Sequence, residues 1–366
     1  MDSSTSAQPS LSPYQQIQEK VENTGKMPVF FHPAQLDFKP LYEWALGKRI
    51  KHPETTQRAE SILSAVKKQS QHFEVFTPQR VSTGTLGRTH DYQLLTLYTT
   101  ANMLPEDRTF YPTVFPNKRI AQPDPTNLYH AGYFCFDVGT PLNANTYEAA
   151  TWSASCAYDA ASVVAEGIAP MAYALSRPPG HHASESLFGG YCYFNNAAIA
   201  CERLRQGGKR IAMLDIDFHH GNGTQDLYYY ESEVLTLSVH GDPETCFPYY
   251  TGYSNENGSG EGRGYNLNFP LPKGTNFEEY RRVIEGHVLT DIRNFEPDYL
   301  IICAGFDTYK KDPVGDFDFE TEDYYALGEL LAGLNYPTVV VQEGGYYTPD
   351  LGKNVVSLLK GLMGVD

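Results

Sequence analysis

The amino-acid sequence predicts an α/β fold, a three-layer α/β/α sandwich around a central, mostly parallel sheet. Short apolar runs alternate with amphipathic stretches along the chain, which is the pattern of repeated strand–helix units. Several of these runs are apolar on both faces, as parallel strands buried between two helix layers require. Polar residues crowd the carboxyl ends of the runs, which is where open parallel sheets bind their ligands.

The apolar runs are the strand candidates, and the stretches between them carry the start and stop signals of helices. Asn276 is a helix cap followed by an acid at the third helical position, and Gly207 ends a preceding helix. Thr146 opens a long stretch with small and apolar residues at helical spacing. The strand candidates are MPVFFH (27–32), MAYALS (171–176), RIAMLDIDFH (210–219), VLTLSVH (234–240), YLIICAGFD (299–307) and TVVVQEGG (338–345).

Length and composition favour one large domain. The chain has 366 residues, 41% of them apolar, and no linker-like change of composition appears after its start. Residues 1–25 are rich in Ser and Gln with few apolar anchors, so we expect a flexible N-terminal tail followed by a single catalytic domain over residues 26–366.

Charge and cysteine content exclude several classes of function. The formal charge is −16 and no block of Lys or Arg interrupts it, so nucleic-acid binding is not expected. The six cysteines lack CxxC spacing, which predicts buried free thiols in a reducing compartment. No apolar stretch reaches the ~18 residues that a membrane span needs, and no signal sequence is recognisable. We therefore expect a cytoplasmic protein that does not bind membranes.

Polar residues at two strand ends predict a metal site. If the strand runs through the sequence DIDFHH, alternation places Asp215, Asp217 and His219 on one face, and Asp307 ends another apolar run. One His and two carboxylates with an open position suit a catalytic zinc ion. From these residues alone, a hydrogen-bonded Asp–His pair and a helix-capping role for Asp307 remain open.

Two further motifs indicate acid–base and oxyanion chemistry. In SRPPGHHA, two prolines and a glycine fix a loop before the tandem His181 and His182, which indicates proton-transfer groups beside a metal. A surface position for both histidines is the alternative. In EGGYY, paired glycines allow close approach of the backbone, and Tyr346 can offer its hydroxyl to an oxyanion.

Taken together, the motifs resemble those of the arginase-fold histone deacetylase superfamily. The resemblance runs from about Met27 to the C-terminus. Three longer segments are similar to its bacterial, acetylpolyamine amidohydrolase-like branch. The superfamily motifs are RPPGHHA, GGYCYFNNAA, DIDFHHGNGTQ, GFD and QEGGY, and the branch segments are FDVGTP (136–141), SVHGDPETCFPYYTGY (238–253) and NLNFPLP (266–272).

The resemblance implies a zinc-dependent amidohydrolase and assigns roles by position. Asp217, His219 and Asp307 take the positions of the zinc ligands. His182 takes that of the general base that later acts as acid, and His181 that of its electrostatic helper. Tyr346 occupies the position of the oxyanion donor.

Supporting positions also follow from the resemblance. Asp215 lies where the family pairs a carboxylate with the first histidine of the tandem. Asn222 fills the partner position of the second histidine, where many class I relatives have Asp, and this exchange predicts a lower pKa for His182. A structural potassium ion is implied, held by Asp215, Asp217, His219, Ser238 and Val239.

The resemblance also implies a narrow substrate channel. Tyr191, next to Gly190, and Phe247 match the aromatic positions that line the family's tunnel, where two rings would admit a slim methylene chain. Val314 lies where the eukaryotic polyamine-specific relative carries a gatekeeper glutamate. The Pro-rich segment 101–131 matches a region that narrows the tunnel and forms a dimer interface in the bacterial branch, so a homodimer is expected. Its acidic residues Glu106, Asp107 and Asp124 either meet a substrate ammonium or are solvated.

These expectations leave several functions to compare. Removal of acetyl groups from polyamine-like amines is the first, and deacetylation of acetyl-lysine peptides is the alternative that Val314 leaves open. A non-catalytic binder of acetylated amines, or a scaffold, would be expected to lack His182 or a ligand, and all are present. A dinuclear manganese ureohydrolase would need a DxHxD sequence, but His219 is followed by His220 and Gly221.

Overall fold

The structure is a computed structural model that describes residues 11–45, 47–116 and 123–366. Its strands are β1 (Met27–Phe30), β2 (Tyr42–Ala45), β3 (Lys48–Lys51), β4 (Phe73–Phe76), β5 (Thr109–Phe110), β6 (Leu142–Asn143), β7 (Met171–Ala174), β8 (Ile211–Asp215), β9 (Val234–Gly241), β10 (Asn266–Leu271), β11 (Tyr299–Ala304) and β12 (Thr338–Gln342). Its helices are α1 (Pro13–Thr24), α2 (Thr56–Lys68), α3 (Thr83–Leu86), α4 (Tyr92–Ala101), α5 (Thr146–Ala165), α6 (Asn196–Leu204), α7 (Asn222–Tyr228), α8 (Phe277–Val283), α9 (Leu289–Phe295), α10 (Thr321–Ala332) and α11 (Thr348–Met363).

Eight strands form one parallel sheet in the order β10-β9-β8-β11-β12-β7-β1-β4. The parallel pairing of the buried runs confirms the fold class predicted from the sequence. The sequence did not reveal β4 and β10 at the two edges, nor the small antiparallel pairs β2–β3 and β5–β6. Edge strands carry fewer apolar residues because one side lacks a neighbouring strand, and this weakens their pattern.

Helices cover both faces of the sheet, and each strand sends alternate residues to the two sides. In β8, Ala212 and Leu214 pack in the core formed with α2, α10 and α11. Ile211 and Met213 pack in the opposite core, formed with α1, α5 and α6. The three layers therefore follow directly from strands that are apolar on both faces.

The N-terminal segment differs from the expected flexible tail where it is described. Residues 13–24 form α1, which Ser12 caps through its side chain. Ile17 and Val21, four positions apart, are buried against the sheet core, and the Tyr14 hydroxyl donates to Asp159 Oδ1 at 2.7 Å. Two apolar residues in a polar stretch were too weak a signal, because the partner surface is contributed by distant helices. Residues 1–10 lie outside the described part of the chain.

The structure also shows the state of the cysteines and the character of the helices. All six cysteines are buried free thiols, as predicted from their spacing and apolar surroundings. Among the described helices, none is long and apolar enough to cross a membrane.

Candidate active site

The carboxyl ends of the central strands bring the predicted metal-binding residues together. Asp217 and His219 follow β8, and Asp307 follows the neighbouring strand β11. One ligand atom from each of these three side chains lies within 4.8 Å of the other two, and all three are buried. The three residues that the sequence analysis grouped together are therefore neighbours in the structure.

The reason for this grouping differs from the one predicted. The strand β8 ends at Asp215 instead of continuing to residue 219, so strand alternation does not align the side chains. Carboxylates hold the irregular segment instead: Asp217 N donates to Asp215 Oδ1 at 3.0 Å and His219 N donates to Asp217 Oδ1 at 2.8 Å. Phe218 N donates to Asp307 Oδ1 at 2.9 Å. The candidate metal-binding residues thus organise their own backbone.

Two glycines let the backbone approach the carboxylates. Gly344 N donates to Asp217 Oδ2 at 2.8 Å. A Cβ atom at Gly305 would lie 2.1 Å from Asp217 Oδ2, and one at Gly344 would lie 2.5 Å from it. Any side chain at either position would therefore displace the carboxylate, which explains why glycine is required in GFD and in EGGY.

The three side chains fit a divalent metal ion. His219 Nδ1 lies 2.9 Å from Asp307 Oδ2 and 3.3 Å from Asp217 Oδ1. Burial, followed by the charge of Asp217, raises the pKa of Asp307 to about 7, because a carboxylate is disfavoured away from water and beside a like charge. An imidazole and two carboxylates are ligands that zinc accepts in catalytic sites. The donor set therefore matches the group implied by the sequence.

The tandem histidines lie beside this site with opposite protonation tendencies. His181 Nδ1 lies 2.8 Å from Asp215 Oδ2, and His182 Nδ1 lies 2.7 Å from Asn222 Oδ1. Burial opposes a charge on His181, but the carboxylates of Asp215 and Asp217 outweigh it and raise its pKa to about 10.

The second histidine is neutral for complementary reasons. Burial lowers the pKa of His182 well below its usual value, and the charges of His181 and His219 lower it further. The amide oxygen of Asn222 accepts a hydrogen bond from the ring without supplying a countercharge, and the effect of Asn instead of Asp at this position stays a prediction. A neutral imidazole next to a charged one leaves His182 able to accept a proton at neutral pH.

Tyr346 follows β12 at the edge of the same site. The guanidinium carbon of Arg58 lies 4.7 Å from the centre of its ring, and Arg58 Nε donates to Gly345 O at 2.6 Å. Burial raises the pKa of Tyr346 well above 10, so its hydroxyl stays protonated and can donate a hydrogen bond. Arg58 was not predicted, because its partner lies 287 residues further along the chain.

A cavity of about 750 Å³ opens onto these groups. His182, His219 and Tyr346 lie in its wall, together with all four residues predicted for the substrate channel. Those four are Gly190, Tyr191, Phe247 and Val314. The cavity therefore connects the predicted channel with the predicted proton-transfer and metal-binding groups.

The channel wall packs directly on His182. Gly190 has φ +56°, and a Cβ atom there would lie 2.2 Å from the His182 ring, so glycine is required on both counts. The ring centre of Phe247 lies 5.1 Å from that of His182 at an interplanar angle of 85°. The neighbouring Tyr191 ring contacts that of Tyr346 edge-on at 5.8 Å.

Three carboxylates in the cavity wall, those of Glu43, Asp137 and Asp316, were missed by the sequence analysis. Glu43 Oε2 accepts a hydrogen bond from the Tyr191 hydroxyl at 2.7 Å. Asp137 accepts from the backbone N–H groups of Gly190 and Gly139. Asp137 lies in the segment FDVGTP (136–141), but its sequence did not indicate that Asp137 lines the channel. Glu43 lies in a region without any motif.

Two of the predicted potassium ligands lie next to a small cavity. Asp215 and Ser238 line a small cavity of about 10 Å³, and Ser238 Oγ lies 2.7 Å from His240 Nδ1.

Of the Pro-rich segment, residues 117–122 lie outside the described residues. Its acids Glu106, Asp107 and Asp124 do not line the large cavity. Asp124 accepts hydrogen bonds from Thr126 within its own turn.

Comparison with known proteins gives a consistent result. Residues 52–362 match the Histone deacetylase domain family. The chain is 43% identical to acetylpolyamine amidohydrolase 2 of Pseudomonas aeruginosa over 69% of its length and 74% of that protein. It is 39% identical to the acetylpolyamine amidohydrolase of Mycoplana ramosa over 87% of its length and 94% of that protein.

Solved structures agree with this result. A crystal structure of acetylpolyamine aminohydrolase from Burkholderia pseudomallei superimposes with a TM-score of 0.86 at 36% identity, covering 92% of this chain and 98% of that one. The HDA15 HD domain superimposes with a TM-score of 0.78 at 27% identity, covering 93% and 89%.

Proposed function

The chain belongs to the histone deacetylase family and is an enzyme that hydrolyses acetyl amides, and from that premise we propose that it is a zinc-dependent amidohydrolase of acetylated polyamine-like amines. The observation that carries the proposal is the common cavity, whose wall contains His219, a neutral His182 and the carboxylate of Glu43, with Asp217 and Asp307 grouped around His219. The names of the bacterial relatives support the same class of substrate.

The metal site supplies the electrophilic part of the proposed reaction. Asp217, His219 and Asp307 would hold zinc through one imidazole and two carboxylates. When bound, zinc would polarise the acetyl carbonyl and lower the pKa of a water molecule.

The chain's own residues move the protons and stabilise charge. His182, neutral and facing the cavity, accepts the proton of the attacking water and later donates it to the leaving amine. His181, held in its charged form by Asp215, provides a fixed positive charge beside the reaction centre. Tyr346 donates its hydroxyl to the developing oxyanion, an effect worth roughly 3–4 kcal/mol for a well-placed donor.

The cavity wall favours a slim cationic substrate. Glu43 and Asp137 present carboxylates where a second amino group of a linear diamine would lie, and Phe247 and Tyr191 line the path of its methylene chain. Lys51 and Lys273 lie in the outer wall. The carboxylates of Glu43 and Asp137, however, bind Tyr191 and Gly190 directly, and a carboxylate in this position attracts an ammonium group.

An acetyl-lysine peptide is the second candidate substrate. The cavity is large, and its wall carries an apolar residue at position 314. A peptide backbone would need such an open outer region, whereas a free polyamine needs only the channel.

Two further expectations belong to the same proposal. A structural potassium ion at Asp215 and Ser238, with oxygens of Asp217, His219 and Val239, is supported by the small cavity beside the first two residues. A thermal midpoint that does not rise with added potassium would contradict it.

A homodimer is supported by the exposed apolar side chains Met103, Val114 and Tyr129 of the Pro-rich segment. Sedimentation of the enzyme as a monomer would contradict this expectation.

The decisive experiment compares kcat/KM of the zinc-loaded enzyme on N-acetylputrescine and on an acetyl-lysine peptide. A preference of about tenfold or more for N-acetylputrescine, which corresponds to ~1.4 kcal/mol of transition-state binding, supports the polyamine assignment. The reverse preference would replace it by protein deacetylation. Absence of turnover on both substrates, with zinc bound, would contradict the proposed function as a whole.

A further inference from the structure

One buried carboxylate outside the metal site binds two segments that both border the cavity. Asp312 Oδ2 accepts hydrogen bonds from Tyr346 N at 2.6 Å and from Tyr347 N at 3.0 Å. Asp312 Oδ1 accepts from Val314 N at 2.9 Å and from Gly315 N at 3.3 Å. A single side chain therefore connects the backbone of the proposed oxyanion donor with the backbone of the channel wall.

The peptide that Asp312 holds is also held from its other side. Arg58 Nε donates to Gly345 O, and Arg58 Nη2 donates to Glu343 O at 2.5 Å. Gly345 has φ +110°, a conformation that glycine adopts without strain and that side-chain-bearing residues rarely adopt. The Asp312 carboxylate therefore binds the N–H groups of this turn, and the Arg58 guanidinium binds its carbonyl oxygens.

We propose that Asp312 is a positioning residue that sets the place of the Tyr346 hydroxyl and couples it to the channel wall at Val314. The inference rests on the proposed oxyanion role of Tyr346. Hydrogen-bond catalysis depends on a donor held at a fixed distance from the charge that develops, so a displaced backbone at Tyr346 weakens it. Asp312 is 9% exposed and does not line the cavity, so its effect is exerted through Tyr346 and not through contact with substrate.

The variant Asp312→Asn tests this role with little change of shape. An amide has one acceptor oxygen and one NH₂ group, so one of the two pairs of backbone N–H groups would face a donor. We expect kcat to fall by about tenfold or more with little change in KM. In a Tyr346→Phe background, the same substitution is expected to change kcat by less than about twofold, because the two residues act as one unit.

Equal fold losses in both backgrounds would overturn the proposal, because Asp312 would then act independently of Tyr346. Loss of zinc from Asp312→Asn would also overturn it. Gly315 packs against Asp307, where a Cβ atom would lie 1.8 Å from the backbone oxygen, so zinc loss would show an effect through the metal ligand. Asp159→Asn is the matched control: Asp159 is another buried carboxylate that accepts a backbone N–H and a tyrosine hydroxyl, at a position remote from the site. That control is expected to retain wild-type kcat.

A second measurement does not depend on turnover. With 3-fluorotyrosine incorporated at position 346, the fluorine NMR line of the zinc-loaded protein is expected to shift or broaden in Asp312→Asn but not in Asp159→Asn. An unchanged line would refute positioning by Asp312. If the wild-type enzyme hydrolyses no acetylated amine, the proposed function fails, while the fluorine spectrum still decides whether Asp312 positions Tyr346.

Discussion

The inner and outer parts of the cavity are built on different physical principles. At the inner end, Asp217 and Asp307 are fully buried, and their carboxylates accept hydrogen bonds from backbone N–H groups. At the outer end, Trp44 is 48% exposed and Tyr249 is 54% exposed, and the wall is assembled from loops and the β2–β3 pair.

This difference separates chemistry from substrate choice. The inner residues follow strands of the central sheet, whose parallel hydrogen bonding fixes their relative positions. The outer residues follow segments whose positions depend on loop contacts such as the hydrogen bond from Tyr191 to Glu43. We therefore expect substitutions at the inner end to abolish turnover on every substrate, and substitutions at the outer end to change only the preference among substrates.

The largest effect is expected for Asp307→Ala. Removing one of two carboxylates should release zinc and lower kcat/KM by at least about 1,000-fold, because the metal supplies several kcal/mol of transition-state stabilisation. Zinc content by mass spectrometry and kcat/KM provide the measurement. Asp350→Ala, a surface carboxylate paired with Lys353, is the control. Full zinc occupancy in Asp307→Ala would remove Asp307 from the ligand set.

His182→Ala separates proton transfer from metal binding at the same inner end. The variant is expected to retain zinc and to lose about 10²–10⁴ in kcat, the usual contribution of a positioned acid–base group. Steady-state kinetics with a parallel zinc determination measure this. Turnover similar to wild type would contradict the role of His182.

Glu43→Gln tests the outer end. Loss of one negative charge near a bound ammonium should lower kcat/KM on N-acetylputrescine by about fivefold, or ~1 kcal/mol. The neutral analogue N-butylacetamide should be unaffected. Tyr191→Phe is the matched control, because it removes the hydrogen bond to Glu43 and keeps the charge of Glu43. An equal loss on the charged and neutral substrates would show that Glu43 supports the wall without selecting the substrate.

Asn222→Asp should produce the smallest change, a shift of the pH profile. The base must be neutral, so kcat/KM falls as the pH drops through the pKa of free His182. In the wild type, burial places that pKa well below its usual value. A carboxylate at position 222 favours the imidazolium and raises the pKa, so the acid limb should move to higher pH. A limb that stays in place, or moves to lower pH, would show that Asn222 does not tune His182.

The sequence by itself determined the fold class and most of the inner site. Strands apolar on both faces can only be buried between helix layers, and parallel strands place their carboxyl ends together. For this reason the sequence predicted that Asp217, His219, Asp307 and the tandem histidines lie near one another, and the resemblance to the deacetylase superfamily then implied their roles. The same reasoning misplaced the end of β8, because the carboxylates, and not strand alternation, organise residues 216–219.

Only the tertiary structure decided the contacts made between distant segments. Arg58 reaches Gly345 across 287 residues, and Glu43 reaches Tyr191 across 148. No local periodicity or motif predicts either contact. The first depends on how helix α2 packs on the sheet, and the second on how the β2–β3 pair is placed. Asp312 is near Val314 in sequence, but its contact with Tyr346 arises because the β11 and β12 ends are adjacent. A local sequence pattern indicates whether a residue is buried and in which kind of element it lies. Which distant residue it contacts depends on the packing of the whole chain.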